Sequence, residues 1–114
     1  MSESKKFIHK KLYSARVENH TNRNITVEGT YWTSEFDEPK EEKMIIPMRP
    51  GDAKTFASKS SHDSRMHLVQ FFVTDGEGVD TTIEGPFVSM DRDRETLIID
   101  DTPSNGLTMN LKSS

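Results

Sequence analysis

The stretch Met66-His-Leu-Val-Gln-Phe-Phe-Val-Thr74 decides the fold, and the segment Asp75-Gly-Glu-Gly78 follows it directly. This is the most apolar run of the chain, and its apolar residues fall on both faces of an extended strand. A strand that is apolar on both faces is typical of the interior of a sheet. The Asp-Gly pair is a signal for a hairpin turn. We therefore expect a central strand at residues 66–74, joined by a tight turn to a strand at residues 79–84.

Alternation with a period of two continues on both sides of this run. Ile25, Val27, Gly29 and Tyr31 fall on one face of an extended segment, and Trp32 falls on the other. A glycine inside a strand indicates a bulge or the close approach of another backbone, and we expect one of these at Gly29. Strands are predicted at residues 12–19, 25–32, 43–48, 53–58, 66–74, 79–84, 87–90, 95–101 and 107–112.

The connections between these strands carry turn signals. Pro50-Gly51 predicts a tight turn, because proline fixes φ at one position and glycine accepts a positive φ at the next. Polar segments at residues 34–42 and 59–64 are expected to be exposed loops. No stretch of ten residues shows a helical stripe with caps. About nine short strands separated by turns predict an all-β fold, a single antiparallel β-sandwich, with a barrel as the alternative.

The length of 114 residues fits one domain over residues 1–114. We expect residues 1–11 to form a flexible or edge-strand arm at its N-terminus. Hydrophobic residues make up 32% of the chain and charged residues 30%. The apolar residues are gathered in β-branched and aromatic runs, which a disordered chain lacks, so the composition is compatible with a folded sandwich.

Composition also bounds the class of function. The chain has no cysteine, which excludes disulfides, thiolate-bound zinc and thiol catalysis. Its first residues lack the apolar core of a secretory signal, and no run approaches the roughly 18 apolar residues of a membrane span. We therefore expect a soluble, cytoplasmic protein. The net charge of −4 comes without a basic stripe, so no nucleic-acid partner is expected.

Alternating acids at Asp91, Asp93 and Glu95 have two interpretations. They begin a calcium loop, or they form the polar tip of a hairpin between residues 87–90 and 95–101. An EF-hand loop needs glycine at its sixth position and glutamate at its twelfth, where Thr102 stands. Arginines between the acids also oppose capture of a cation. We favour the hairpin tip and predict no metal site and no cofactor.

No pattern of catalytic residues emerges from the sequence. The segment Ser60-Ser-His-Asp-Ser64 contains the residue types of a hydrolase triad, but triad groups converge from separate segments of a fold. A polar loop is the better interpretation. The four histidines show no metal-ligand spacing, and His67 is expected on a strand face. Acidic pairs such as Asp100 with Asp101 have nothing beside them that indicates a cavity. We predict that the protein is not an enzyme.

Three aromatic residues, Tyr31, Trp32 and Phe36, form the candidate site for a ligand or partner. Tyr31 and Trp32 are adjacent in an extended segment, so one ring should face inward and the other outward. An exposed ring beside the acidic segment at residues 35–42 can stack on a sugar, lie in a membrane interface or anchor a partner. The alternative is that Trp32 packs against a neighbouring strand.

Two stretches resemble a known family. Val17-Glu-Asn-His-Thr-Asn-Arg-Asn-Ile-Thr-Val27 resembles the first hairpin of aegerolysin-type β-sandwiches, and Ile46-Pro-Met-Arg-Pro-Gly-Asp-Ala-Lys-Thr-Phe-Ala-Ser58 resembles that family's Pro-Gly turn and following strand. Within this group the chain looks most like the nematode PUD family. The resemblance implies an aegerolysin-like sandwich that pairs with a related subunit. It also implies a link to insulin-like signalling and lifespan in nematodes, and no catalytic residues.

We therefore expect a non-enzymatic interaction protein that forms a homo- or heterodimer with a related chain through an apolar patch or a sheet edge. The alternative is an aegerolysin-type module that binds a membrane lipid or a carbohydrate through Tyr31, Trp32 and Phe36. A hydrolase that uses residues 60–64 is a third and weaker hypothesis.

Overall fold

The computed structural model describes residues 12–35, 38–61, 64–84 and 94–111. Within these ranges the chain forms nine strands and no helix. The strands are β1 (Ser14–Asn19), β2 (Ile25–Glu35), β3 (Glu38–Met48), β4 (Ala53–Phe56), β5 (Lys59–Ser61), β6 (Ser64–Thr74), β7 (Asp80–Glu84), β8 (Arg94–Asp101) and β9 (Leu107–Leu111). It follows that no helix in the described ranges is long and apolar enough to cross a membrane.

The strands form two sheets. One has four strands in the order β4-β1-β8-β9, and the other has five, in the order β3-β2-β6-β5 with β7 also paired to β6. The predicted all-β sandwich is confirmed. Neighbouring strands run antiparallel except for β1 and β8, which are parallel. These two strands lie far apart in sequence, so no hairpin fixes their relative direction.

The core is the layer between the sheets. Burial alternates with a period of two along β1, where Ala15, Val17 and Asn19 are buried and the residues between them are partly exposed. The same alternation in the other strands fills the layer with apolar side chains. Its largest fully buried members are Tyr31, Phe56, Phe71, Leu12, Met48, Met66 and Leu68.

Strand β6 contains a bulge that explains its apolar character on both faces. Thr30 of β2 pairs with Gln70 and Tyr31 pairs with Leu68, so Val69 has no partner in β2. Met66 and Leu68 are buried before the bulge, and Phe71 and Val73 after it. Because Val69 is an extra residue, the even-numbered side chains point inward before it and the odd-numbered side chains point inward after it. The predicted central position is confirmed, since β2 lies on one side of β6 and β5 and β7 lie on the other.

Two predicted loops are wrong. The segment 34–42 was expected to be an exposed loop, but β2 continues to Glu35 and β3 begins at Glu38, where these two residues pair. Its side chains from Pro39 onward are exposed, as expected. Pro39 is accommodated because β3 is an edge strand, where a missing N–H need not face a neighbour. The segment 59–64 likewise contains β5, whose Ser61 pairs with Ser64.

Several predictions lie outside the described residues. These are the N-terminal arm at residues 1–11, the strand at 87–90, the acidic tip at Asp91 and Asp93, and residues His62 and Asp63.

The predicted turns are confirmed. Gly51 has φ of 86°, and the Asp52 N–H donates to the Arg49 carbonyl at 3.0 Å. The β6–β7 turn closes where the Asp75 N–H donates to the Val79 carbonyl at 3.0 Å. At Gly29 we find a close approach, but from the Phe56 ring rather than from a backbone.

Arg23 ties together three loops at one end of the sandwich. Its Nη1 donates to Asp75 at 2.8 Å, its Nε to Asp101 at 2.9 Å and its Nη2 to the Asn105 side chain at 2.6 Å. Asn19 holds the same β1–β2 loop, because its side-chain amide donates to the Arg23 carbonyl at 2.9 Å. This end of the molecule is therefore cross-linked by side chains.

Candidate functional site

The two sheets differ in the face that each turns away from the core. On the four-stranded sheet, the outward positions are almost entirely polar, and Ala53 and Ile98 are the apolar exceptions among the described residues. The polar outward residues are Ser14, Arg16, Glu18, Thr55, Thr96, Asp100, Thr108 and Asn110. This face is ordinary hydrated surface.

The five-stranded sheet carries large apolar side chains outward. We call the outward side of β3, β2, β6 and β7 the outer face. Across it, Ile45 pairs with Glu28, and Glu28 pairs with Phe72 on its other side. Ile45 is 61% exposed, and Phe72 is partly exposed. An exposed isoleucine in line with a phenylalanine is the kind of feature that marks interaction surfaces.

Trp32 extends the apolar surface toward the far end of β2. It pairs with His67 in β6, and the two rings meet edge to face with centroids 5.6 Å apart. The Trp32 side chain remains partly exposed. The contact holds the indole ring in place while part of it stays accessible. His67 lies on a strand face, as predicted.

Tyr31 points the other way, so the prediction that one of the two rings faces inward is confirmed. Tyr31 is fully buried, and its hydroxyl donates to the Ala57 carbonyl at 2.7 Å. Burial raises the pKa of Tyr31 to about 12. This hydroxyl therefore serves the packing of the core. Of the three predicted site residues, Trp32 lies on the outer face, Tyr31 lies in the core, and Phe36 lies outside the described residues.

Charges on the outer face are partly compensated within it. The Lys43 ammonium lies 3.6 Å from the Glu28 carboxylate, and the Gln70 amide donates to Glu84 at 3.3 Å. Glu28 lies between Ile45 and Phe72 in its row across the sheet, and its charge is balanced by Lys43. Such a compensated charge is less costly to cover than an isolated one.

No sequence pattern indicated that Ile45 and Phe72 are surface residues. Ile45 stands between Met44 and Ile46, so periodicity alone left its direction open. Without the bulge at Val69, Phe72 would have the inward parity of Met66. The bulge has no marker such as glycine in the sequence.

The other candidate groups have structural roles. Asp101 is engaged by Arg23, and the carboxylate of Asp100 accepts the Asp101 N–H at 3.0 Å. Among the described residues, no three side chains of His, Asp or Glu are grouped so that they could hold a metal ion.

The free edge of β3 is a second surface that a partner strand could use. This edge strand carries Pro39 and Pro47 near its two ends. Four consecutive charged residues, Lys40 to Lys43, lie between them and are exposed. Prolines and charges on an edge oppose the addition of another strand.

No family model matches this chain, and no curated protein matches it. Among solved structures, the NMR structure of a protein from Eubacterium rectale is similar, with a TM-score of 0.55 and 14% sequence identity. The match covers 92% of each chain. At this identity the likeness concerns the fold alone.

Proposed function

We propose that this protein is a non-catalytic interaction module that forms a dimer through the outer face of its five-stranded sheet. The observation that supports the proposal is the contrast between the two outward surfaces. One is almost entirely polar, whereas the other presents Ile45, Phe72 and Trp32, with Ile45 61% exposed. Covering these side chains removes apolar surface from water, which is the main driving force of association.

The outer face is of a suitable size. Strands β2, β3 and β6 each have 11 residues. At about 3.3 Å per residue and about 4.8 Å between strands, they and the short β7 present roughly 600 Å² in projection. Stable interfaces bury about 800 Å² per partner, and accessible area exceeds projected area because side chains roughen the surface. A second sheet packed face to face would thus bury an area of the required order.

The face is a better docking surface than the edge of β3. An edge partner would meet Pro39, Pro47 and a run of charged side chains, and each proline lacks the N–H that a new strand would use. A partner on the face meets the side chains of Ile45 and Phe72 without needing backbone hydrogen bonds.

The partner that we propose is a second copy of this chain. In a two-fold dimer the same patch of both copies forms the interface, so that the apolar side chains of each copy are covered by the other. The Lys43–Glu28 pair needs no new counterion, because each charge already has its partner within one copy. A related chain of the same fold is the heterodimeric version, which the resemblance to the PUD family suggests. Both versions use the same residues.

Light scattering during size-exclusion chromatography tests the proposal over a range of protein concentrations. We expect a dimer for the native chain and a monomer for Ile45→Lys, because the substitution removes the most exposed apolar side chain of the face and adds to each subunit one cation beyond the existing Lys43–Glu28 pair. Thr55→Lys is the matched control, since Thr55 is exposed on the outward side of the other sheet, and it should remain dimeric. A native chain that stays monomeric at high concentration would refute self-association, as would an equal effect of both variants.

A second candidate function rests on Trp32. A partly exposed indole held at its edge by His67 is suited to stacking on a sugar or to lying in a membrane interface. Liposome sedimentation and a glycan array, each with Trp32→Ala as control, test this function. Binding that Trp32→Ala abolishes would support it, and no binding in either assay would remove it.

A further inference from the structure

An open groove of ≈ 770 Å³ lies at the end of the sandwich that Arg23 cross-links. It is lined by Asn24 before β2, the start of β2, the end of β3, the β3–β4 turn, Lys54 of β4 and the start of the β6–β7 turn. Its charged residues are Arg49, Asp52, Lys54 and Asp75. The volume is within the usual range for small-molecule sites.

The two acids of the groove are already engaged. The carboxylate of Asp75 accepts the N–H groups of Glu77 at 2.8 Å and Val79 at 3.1 Å, and it pairs with Arg23 at 2.8 Å. These hydrogen bonds, with that of Glu77 first, lower the pKa of Asp75 below its ordinary value. Asp52 accepts the Arg49 N–H at 2.8 Å. Neither carboxylate forms an ion pair with Arg49 or Lys54.

The two basic side chains of the groove, Arg49 and Lys54, are available to bind a ligand. Within the described ranges, neither the Arg49 guanidinium nor the Lys54 ammonium has a carboxylate within ion-pairing distance. Lys54 of β4 pairs with Val17 of β1, which is buried, so the two side chains lie on the same side of the sheet, the side that faces the core. Lys54 is nevertheless exposed, because it lies at the margin of the sandwich. The donors of both side chains are therefore free to bind an anion.

Arg49 begins a fixed turn, and Lys54 lies two residues after it, in β4. The Gly51 N–H donates to the Asn19 carbonyl at 2.9 Å, and the Asn19 N–H donates to the Asp52 carbonyl at 2.9 Å. Asp52 also closes the turn back to Arg49 at 3.0 Å. A turn joined to β1 in this way keeps the backbone at positions 49 and 54 at a constant separation. Such support reduces the ordering cost of binding.

We propose that this groove binds a small organic anion, a carboxylate or phosphate carried on a short apolar body. The anionic oxygens would be held by Arg49 and Lys54, since a guanidinium binds either group in a bidentate manner. The apolar body would lie against Pro47, which is an exposed residue of the groove wall. The groove shares Pro47 with the outer face, but Arg49 and Lys54 lie outside the strands of that face.

Titration of isotopically labelled protein, followed by NMR, tests the site with hexyl phosphate, hexanoate and inorganic phosphate as probes. We expect hexyl phosphate or hexanoate to shift the amide signals of Gly51 and Lys54. The double variant Arg49→Gln with Lys54→Gln should weaken that binding by about tenfold or more. Lys43→Gln, which removes a cation from the outer face, should change it less than about twofold.

Three results would overturn the proposal: none of the probes binds, binding is unchanged in the double variant, or inorganic phosphate binds as tightly as hexyl phosphate. The last would show recognition of a free anion without the apolar contact. The dimer-disrupting variant Ile45→Lys should bind hexyl phosphate normally. Failure of the dimer proposal can thus be distinguished from failure of this one.

Discussion

The ring of Phe56 lies directly against the backbone of Gly29, so that a β-carbon on the glycine would stand 2.8 Å from Cδ2 and Cε2 of Phe56. Phe56 belongs to β4 of one sheet and Gly29 to β2 of the other. The ring also meets Phe71 edge to face, with centroids 5.3 Å apart. Glycine is needed at position 29 because it leaves room for an aromatic ring from the opposite sheet.

Gly29→Ala is therefore expected to destabilise the fold through overpacking. The added methyl group must displace a fully buried ring, which typically costs about 1–3 kcal/mol. Urea denaturation measures the change in the free energy of unfolding. In a Phe56→Leu background the same substitution should cost less, because the smaller side chain yields space. If the two substitutions are strictly additive, the contact does not determine the residue at position 29.

Much of the fold could be predicted from alternation and turn chemistry. The period of two put Ile25, Val27 and Tyr31 on one face of β2, which is the face that the core buries, and Pro50-Gly51 marked the turn that forms at those residues. Gly29 indicated a bulge or the close approach of another backbone, whereas its neighbour is the Phe56 ring of the other sheet, which no local pattern specifies. The parallel pairing of β1 with β8 is equally non-local.

The candidate site was only partly predictable. The alternation of Tyr31 and Trp32 correctly implied that they point in opposite directions, but it did not say which ring is inside. That choice depends on the register of β2 against β6, where Tyr31 pairs with Leu68 and Trp32 with His67. A slip of one residue would reverse every side chain of the strand.

Asp75→Asn is expected to lower the melting temperature at pH 7, because it removes the anion that Arg23 and the N–H groups of Glu77 and Val79 stabilise. The pKa of Asp75 is lowered in the folded protein from its ordinary value of 3.8. This stabilisation is thus present above pH 3.8 and is lost as the pH falls through the folded-state pKa. The difference in melting temperature between native chain and variant should shrink below pH 3.8.

Thermal unfolding across this pH range makes the comparison, with Asp80→Asn as the control for an exposed aspartate. A difference between the native chain and Asp75→Asn that stays constant as the pH falls would contradict the assigned role of the carboxylate.

Tyr31→Phe should change the response of the protein to alkaline pH. Burial raises the pKa of Tyr31 from 10.0 to about 12, so above pH 10 the unfolded chain ionises while the folded chain keeps the proton. The native protein therefore loses stability as the pH rises from 10 to about 12. Tyr31→Phe has no ionisable hydroxyl at this position and should not lose this stability. At pH 8 the variant should be less stable than the native protein by about 1 kcal/mol, because it lacks the hydrogen bond to Ala57.

Urea denaturation at pH 8 and pH 11 gives both quantities, and Tyr13→Phe serves as the matched control. If Tyr13→Phe removes the alkaline loss and Tyr31→Phe does not, the ionising group has been misassigned.

Deletion of Val69 should be tolerated, in contrast to deletions elsewhere in the long strands. Removal of the bulged residue leaves Leu68 and Phe71 two positions apart, so that Met66, Leu68, Phe71 and Val73 all keep the inward parity that they have now. Deletion of Glu28 from β2, which pairs with β3 without a bulge, instead reverses the side chains on one side of the deletion.

Urea unfolding and far-ultraviolet circular dichroism test this prediction. We expect cooperative unfolding and a β-type spectrum for the chain without Val69, and loss of the fold for the chain without Glu28. If the chain without Val69 is as disordered as the chain without Glu28, the bulge is required for the curvature of the sheet rather than being an insertion that the register absorbs.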